Sequence, residues 1–258
     1  MLCAHENRAA ADSPVVWVVG ASTGIGAALV RAFYKQGWRV AMSARREALL
    51  REREAEDPSR LLAVPVDVTD LAAMHEAVKR IESRWGEIDT AILNAGDYQP
   101  MSLADFSPAL FEDLMRVNYM GVVHGIDALR EGMLARGRGQ ILITASVAGY
   151  RGLPYAAPYG ATKAALISLA ESLQPEFHRH GVRLRIISPG FVKTPLTDKN
   201  DFKMPGLITP EEAAAVIVRE VRGRHFEIVV PKLFAWVMKR IRCLPYWIWL
   251  PLARRMLR

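Results

Sequence analysis

Short apolar runs alternate with helical patterns along the whole chain. The strand-like runs lie at 15–20, 39–43, 61–66, 88–93, 140–145, 183–188 and 226–231. Segments with helical periodicity follow most of them, as Ile25, Leu29 and Phe33 illustrate between the first two strands. Regular alternation of strands and helices indicates a parallel sheet with helices on both faces. We therefore predict an α/β fold with a doubly wound, seven-stranded parallel sheet in a single domain.

The composition fits one domain with an extension at each end. The chain has 258 residues, of which 51% are hydrophobic, enough to bury a large core. Residues 1–14 carry charges where a secretion signal needs an unbroken apolar segment, and we predict a disordered lead there. The alternating pattern fills residues 15–231, and residues 232–258 form a separate tail. Cys3 and Cys243 lie too far apart for a disulfide framework or zinc motif, which predicts a reducing, cytoplasmic location and no metal site.

The positive charge of the protein lies in its tail. The net charge is +7; residues 232–258 hold seven Lys or Arg and no acid, and removing these from the total of 34 leaves 27 basic and 27 acidic residues. A neutral body gives no indication of nucleic-acid binding. Basic and aromatic residues together are typical of a segment that lies in an anionic membrane surface. We therefore predict a protein that is cytoplasmic or peripheral on the inner face of a membrane.

The tail pattern leaves its partner open. Its longest uncharged run, residues 243–253, has 11 residues and two prolines, whereas a spanning helix needs about 20 apolar residues. The apolar positions predict one helical stripe. They are Leu233, Trp236, Val237, Ile241 and Leu244. Such a stripe fits a membrane interface, a second subunit, or a contact over the ligand cleft.

A glycine-rich turn follows the first strand, at the edge where ligands bind in parallel sheets. It is the segment Gly20-Ala21-Ser22-Thr23-Gly24-Ile25-Gly26. Glycines permit a tight turn and close approach of a phosphate to backbone N–H groups, and the following helix N-terminus favours negative charge. The alternative is simple tight packing between strand and helix.

Tyr159 and Lys163 open a predicted helix after the fifth strand. Residues four apart lie on one helical face, so the ammonium can approach the phenol. A nearby cation should lower the pKa of the phenol from about 10 and make it a usable proton-transfer group. The alternative is an ordinary amphipathic helix start after Pro154 and Pro158.

The order and spacing of several motifs resemble those of the classical short-chain dehydrogenase/reductase family from about residue 15 to 230. The matching positions are the glycine-rich segment 20–26, Asp67-Val68, Asn94-Ala95-Gly96, Asn118, Ser146, Tyr159-x-x-x-Lys163 and Pro189-Gly190-x-x-x-Thr194. The resemblance implies a Rossmann-like fold, an NADP(H)- or NAD(H)-dependent oxidoreductase, and a homodimer or homotetramer through the helices bearing Asn118 and Tyr159. The chain departs from the family at Val19, where threonine is frequent, and at Leu93, where a second asparagine is frequent.

The resemblance also implies roles for individual residues. Tyr159 would exchange a proton with the substrate oxygen, Lys163 would lower its pKa and hold the nicotinamide ribose, and Ser146 would orient the substrate. Asn118 would position a water behind Lys163; the alternative is that its amide faces solvent or bonds a neighbouring backbone carbonyl. The implied cofactor contacts are Gly20, Ser22, Thr23, Gly24, Ile25, Gly26, Arg45, Arg46, Asp67, Val68, Asn94, Ala95, Gly96, Tyr159, Lys163, Pro189, Gly190, Val192 and Thr194.

Charge after the second strand indicates the choice of cofactor. NAD sites place an acid there, whereas NADP sites place arginine against the 2′-phosphate. The chain has Arg45 and Arg46 and no acid at this point, which predicts NADP(H). The alternative is that both arginines only flank the next helix as solvated charge.

The segment 191–209 resembles the family's lid over the substrate. Phe202 and Met204 make it apolar and predict contact with a hydrophobic carbonyl compound or alcohol, although such residues equally often clasp the protein's own core. Three functions remain open: a carbonyl reductase or alcohol dehydrogenase, another reaction on the same cofactor such as enoyl reduction, and a non-enzymatic NADPH-binding or membrane scaffold. The spacing of Tyr159 and Lys163 and the presence of Ser146 favour the first.

Overall fold

Seven parallel strands form one sheet in the computed structural model, which describes residues 13–257. The strands are β1 (Val15–Val19), β2 (Arg39–Ser43), β3 (Leu61–Ala63), β4 (Thr90–Leu93), β5 (Gln140–Thr144), β6 (Arg183–Pro189) and β7 (Glu227–Val230). Their order in the sheet is β3-β2-β1-β4-β5-β6-β7, so the chain reverses its winding direction between β1 and β4. The predicted doubly wound, seven-stranded α/β fold is confirmed.

Helices cover both faces of this sheet. They are α1 (Gly24–Lys35), α2 (Glu47–Glu54), α3 (Leu71–Trp85), α4 (Pro108–Leu114), α5 (Gly121–Arg136), α6 (Ala157–Arg179), α7 (Pro210–Glu220), α8 (Lys232–Arg242) and α9 (Tyr246–Arg254). One core lies between the sheet and α3, α5, α6 and α8, and the other between the sheet and α1, α2 and α7. Because both faces are covered, β1 and β4 are buried along their whole length and read as continuous apolar runs.

Polar residues set several helix boundaries. Asp70 caps α3 by accepting from the Ala73 N–H, and Thr209 forms a reciprocal capping box with Glu212 at the start of α7. Pro210 occupies the first turn of α7, where its missing N–H costs nothing. Gly137 ends α5 in the left-handed conformation that glycine adopts without strain.

Two segments are less regular than the alternating pattern. The run 61–66 forms a strand only to Ala63, although the Val64 and Val66 N–H groups still donate to the Met42 and Ala44 carbonyls. A π-helical turn, Met115–Met120, lies between α4 and α5 and contains Asn118. Such turns insert an extra residue into the helical repeat and so rotate one side chain out of register.

Both terminal segments contact the domain where the structure describes them. Residues 1–12 of the predicted lead lie outside the described residues, while the carbonyl oxygens of Ser13 and Pro14 accept from Arg39. The division of the chain at residue 231 stays a prediction, and the structure adds that α8 buries Ala235 and Met238 in the core.

The predicted tail stripe is exposed at its beginning and half-buried at its end. Leu233, Trp236 and Val237 are exposed, whereas Ile241 and Leu244 are half-buried. Within residues 13–257, no helix is both long and apolar enough to cross a bilayer.

A buried serine connects three strands. Ser43 at the end of β2 accepts from the Trp17 indole N–H at 2.8 Å and donates to the Val64 carbonyl at 2.7 Å. Ser43 and Trp17 are both fully buried, so water cannot replace either bond.

Replacement Ser43→Ala should lower the free energy of unfolding by about 2 kcal/mol or more, because two buried polar groups lose their partner. Urea unfolding with an unchanged m-value would measure the effect. Ser168→Ala, on the exposed side of α6, is the matched control. Equal midpoints for the two variants would contradict the bridging role of Ser43.

Candidate active site

A cleft of about 590 Å³ opens at the carboxyl ends of the strands. It lies where β1 and β4 diverge, the switch point at which doubly wound sheets bind ligands. Most of the predicted cofactor contacts line it. They are Gly20, Ser22, Thr23, Gly24, Ile25, Arg45, Arg46, Asp67, Val68, Asn94, Ala95, Gly96, Tyr159, Lys163, Pro189, Gly190, Val192 and Thr194. Ser146 also lines the cleft, whereas Gly26, Asn118, Phe202 and Met204 do not.

The glycine-rich loop is held by close backbone contacts. Gly20 has a φ of 84°, and a Cβ there would lie 2.7 Å from the Ala95 backbone nitrogen. A Cβ on Gly26 would lie 2.0 Å from the Gly20 carbonyl oxygen, so this glycine packs the helix on the loop and does not face the cleft. The resulting loop keeps Ser22, Thr23 and the start of α1 open toward the cleft. This geometry fits the pyrophosphate of a dinucleotide.

Asn94 secures the centre of the cleft floor. Its side chain donates to the Gly20 carbonyl at 3.3 Å and accepts from the Thr144 hydroxyl at 3.2 Å. One amide therefore joins the ends of β1, β4 and β5. The chain has Val19 and Leu93 where polar residues are frequent in the resembling family. Asn94 nevertheless cross-links the central strands.

Ser146 and Tyr159 bring two hydroxyl groups together in the cleft. Ser146 follows β5, where its Oγ accepts from the Ala148 N–H at 3.1 Å, and it hydrogen-bonds the Tyr159 side chain. Burial raises the pKa of Tyr159 to about 12, although the Ser146 hydroxyl opposes this shift. The phenol is therefore protonated at neutral pH.

The predicted lowering of the phenol pKa by Lys163 is wrong for this structure. The Lys163 ammonium donates to the Thr144 carbonyl at 2.8 Å and lies 5.6 Å from the centre of the Tyr159 ring. Burial lowers the pKa of Lys163 itself to about 8. Desolvation is the largest cause of both shifts, because the charged form of each group loses the stabilisation that water provides.

Asn118 is fully buried in the π-helical turn beside the cleft. Its Oδ1 accepts from the Asp97 N–H at 2.7 Å, and its Nδ2 donates to the Asp97 carbonyl at 2.9 Å and to Thr162 Oγ1 at 3.2 Å. The Asn118 amide therefore bonds a backbone carbonyl, as the alternative interpretation expects. Asn118 fastens the segment after β4 to helix α6, and a water-positioning role stays a prediction.

Arg46 crosses the mouth of the glycine-rich loop. Its guanidinium donates to Ser22 Oγ and Thr23 Oγ1, both at 2.8 Å. Arg45 also lines the cleft, and its charge contributes to holding the pKa of Asp67 below the usual range, an effect mainly due to hydrogen bonds from Thr69. The two arginines thus border the cleft and do not only flank α2.

Contacts between aromatic rings hold the lid against the domain. Phe202 packs its ring against Phe191 with centroids 5.6 Å apart, and Phe191 packs against Phe234 of α8 at 5.4 Å. Met204 accepts from Asn200 through its sulfur at 3.4 Å. Direct substrate contact by Phe202 and Met204 stays a prediction, because the structure packs both within the lid.

Tyr98 and Thr144 are site residues that motif matching missed. Tyr98 packs edge-to-face on Tyr159, with centroids 5.1 Å apart, and donates to Asn200 of the lid at 2.8 Å. Thr144 supplies the carbonyl that holds Lys163. Both follow or end strands at the carboxyl edge of the sheet, and that position alone was the available signal.

A doubly wound sheet with a phosphate-sized glycine loop at its switch point defines the dinucleotide-binding class of α/β proteins. Comparisons with known proteins narrow this class. A profile of the short chain dehydrogenase family matches residues 14–204. The chain belongs to the short-chain dehydrogenase/reductase family, and it is an oxidoreductase of that family.

Individual relatives share most of the chain. An acetoacetyl-CoA reductase from Synechocystis sp. is 31% identical over 229 residues, covering 88% of this chain and 87% of the relative. A sorbitol dehydrogenase from Cereibacter sphaeroides is 34% identical over 182 residues, covering 70% of this chain and 71% of the relative. A crystal structure of an actinorhodin polyketide ketoreductase variant with NADPH has a TM-score of 0.76 and 27% identity over 85% of this chain and 96% of that one.

The lowered pKa of Lys163 predicts a pH-dependent cofactor affinity. The side chain is an ammonium below about pH 8 and neutral above it, so its ability to donate to ribose hydroxyls should weaken as the pH rises. We expect the dissociation constant for NADPH to be constant from about pH 6 to 7.5 and to rise severalfold by about pH 9.5. Fluorescence titration of NADPH measures it. Lys163→Ala should bind weakly with no such rise, and an identical rise in that variant would contradict the assignment.

Proposed function

We propose that this enzyme interconverts a carbonyl compound and an alcohol with NADP(H), with Tyr159 as the general acid and base. The observation that carries the proposal is the paired hydroxyl groups of Ser146 and Tyr159 in the cleft, with the Lys163 ammonium behind the phenol ring. A carbonyl oxygen placed between the two hydroxyls would accept from both. Both donors are set before the substrate arrives, so little reorganisation accompanies the reaction.

The bound nicotinamide would supply or accept the hydride. Side chains of the protein would supply the remaining chemistry. Ser146 would orient the substrate oxygen, and Tyr159 would donate its proton to that oxygen as negative charge develops on it. A pKa of about 12 keeps Tyr159 protonated at neutral pH, the form that a proton donor needs. Lys163 would hold the ribose, and Asn118 would keep the segment after β4 in place.

The arginines support a preference for NADP(H). Arg46 lies over Ser22 and Thr23, so one guanidinium and two hydroxyls converge on the loop edge where the 2′-phosphate is held. Arg45 adds a second positive charge on the same side of the cleft. The NADPH-bound ketoreductase structure is similar over most of this chain, which agrees with this preference.

We further propose an apolar substrate and a homodimer or homotetramer. Phe191 follows the cleft residue Gly190 in the chain. Its ring packs against Phe202 of the lid and Phe234 of α8, so an apolar wall adjoins the site. Leu103, Phe106, Met115 and Met120 are exposed around α4 and the π-helical turn, beside the helices that the family resemblance assigns to assembly. We also propose that the enzyme lies in the cytoplasm, at the inner face of a membrane.

A non-enzymatic NADPH-binding scaffold is the second candidate, and the site geometry speaks against it. A binding module needs neither the Ser146–Tyr159 hydroxyl pair nor a buried ammonium beside it, because each buried polar group costs stability. Enoyl reduction is disfavoured by the family resemblance, since the enoyl-reducing branch typically has a wider spacing than the one between Tyr159 and Lys163.

Tyr159→Phe should lower kcat for ketone reduction by about 10²-fold or more, because only the proton donor is lost. NADPH affinity and the unfolding midpoint should stay close to those of the unmodified enzyme. NADPH absorbance with a panel of ketones and aldehydes, including long-chain compounds, provides the assay. Tyr155→Phe removes a hydroxyl from the loop before α6 and is the matched control. Full activity in Tyr159→Phe would refute the proposed mechanism.

Arg46→Ala should weaken NADPH binding by about 1.5–3 kcal/mol and leave NADH binding nearly unchanged, since the lost contact is a charge-assisted hydrogen bond to phosphate. Arg45→Ala should act in the same direction. Arg53→Ala, on α2 but outside the cleft, is the control for loss of one charge. Equal binding of NADH and NADPH by the unmodified enzyme would disprove the charge argument.

A further inference from the structure

We propose that the outward face of α8 and α9 docks on an anionic lipid surface and holds the lid side of the substrate cleft against it. Nine of the sixteen large apolar side chains exposed among the described residues lie in this C-terminal segment. They are Leu233, Trp236, Val237, Tyr246, Trp247, Leu250, Leu252, Met256 and Leu257. Soluble surfaces rarely concentrate apolar residues in this way unless a partner covers them.

The two helices present this face in a fixed orientation. Ala235 and Met238 bury the inner side of α8, which turns Leu233, Trp236 and Arg240 outward. On α9, Trp249 is buried and Trp247 is 77% exposed. The face is therefore part of the folded protein.

Polar contacts lock the helices onto the domain. Lys239 of α8 forms a salt bridge with the half-buried Glu227, which also accepts from Ser188 at 2.5 Å. Arg151 donates to the Leu244 carbonyl at 3.1 Å, and its guanidinium stacks on Tyr246 at 4.7 Å. Because the turn between α8 and α9 is held in this way, docking would cost little ordering entropy.

The charges on this face select an anionic partner. Arg240, Arg242, Arg254 and Arg255 are exposed, and in the described chain none lies within salt-bridge distance of a carboxylate. Arg240 stacks over the exposed Trp236 ring at 4.3 Å, so a cation and an aromatic ring share one spot. Aromatic rings at headgroup depth with arginines on phosphates are the arrangement of interfacial segments.

Two other occupants fit the face less well. A second copy meeting it through a two-fold axis would bring the same four unpaired arginines into apposition, and like charges disfavour such a contact. Nucleic acid would use the arginines and aromatic rings but leave the aliphatic residues, such as Leu233, Val237 and Leu250, facing water. A lipid surface satisfies both the charged and the aliphatic groups.

The same helix packs behind the lid side of the cleft. Phe234 of α8 packs on Phe191, and a Cβ on Gly190 would lie 2.6 Å from its ring. Gly206 of the lid also adjoins Phe234, and the next residue, Leu207, is 42% exposed. A membrane on the outward face of α8 would therefore lie beside the lid, where an apolar substrate dissolved in lipid can enter. Only this last statement rests on the proposed function.

Vesicle sedimentation of the full-length protein tests the docking. We expect binding to phosphatidylcholine vesicles that contain phosphatidylserine, and little binding to phosphatidylcholine alone. Arg254→Glu/Arg255→Glu should weaken partitioning by at least about 20-fold. Lys79→Glu/Arg80→Glu, an exposed pair on α3, makes the same change in net charge and should bind nearly as the unmodified protein does. Equal losses in both double variants, or no binding by the unmodified protein, would overturn the proposal.

Quenching by brominated lipids distinguishes insertion from electrostatic adsorption. Trp236 and Trp247 are the exposed indoles of the described chain, while Trp17, Trp38 and Trp249 are buried. We expect bromolipids to quench their emission, and Trp236→Phe/Trp247→Phe to abolish most of that quenching. Absence of quenching on bound vesicles would overturn insertion of the face. Displacement from vesicles by a DNA duplex at equal charge concentration would identify nucleic acid as the partner and overturn the lipid assignment.

A lid probe tests the orientation. In the Trp236→Phe/Trp247→Phe background, Leu207→Trp should be quenched by bromolipids, whereas Ala135→Trp, at the end of α5 on the opposite edge of the sheet, should not. Equal quenching of the two probes would overturn the placement of the lid. Tyr159→Phe should bind vesicles like the unmodified protein, so failure of the catalytic proposal and failure of this inference give different results.

Discussion

The close approach of the β1 and β4 backbones at the switch point is the constraint on which the site depends. Gly20 and Ala95 approach so closely that no side chain fits between them, and Asn94 then bridges Gly20 to Thr144. The Thr144 carbonyl in turn holds Lys163. The backbone contact and these side-chain hydrogen bonds thus connect the glycine-rich loop, the cleft floor and helix α6.

Burial determines the electrostatics of Tyr159 and Lys163, the proposed catalytic pair. Desolvation shifts Tyr159 and Lys163 toward their neutral forms, since each loses contact with water and neither is fully compensated. Hydrogen bonds from Ser146 to the phenol and from Lys163 to Thr144 offset part of that cost. The protonated phenol that results is able to donate to a carbonyl oxygen.

The C-terminal helices link the site to the outer surface. Helix α8 buries Ala235 and Met238 in the core, contacts the lid through Phe234, and exposes Trp236 and Arg240 on the opposite side. One short helix therefore takes part in folding, in packing against the lid and in forming the basic apolar face. These three contacts explain why a tail with a strongly basic composition belongs to an otherwise neutral domain.

The amino-acid pattern was sufficient to predict the doubly wound sheet and most of the residues that line the cleft. Strand and helix periodicities are local, and the glycine loop and the Tyr159–Lys163 spacing are read over a few residues, so pattern and resemblance were sufficient for them. Three contacts follow only from the folded chain: Lys163 bonds Thr144, Asn118 holds Asp97, and Phe234 rather than Leu233 faces the domain. These outcomes depend on contacts between residues far apart in the chain and on how much water those contacts exclude, which no local pattern encodes.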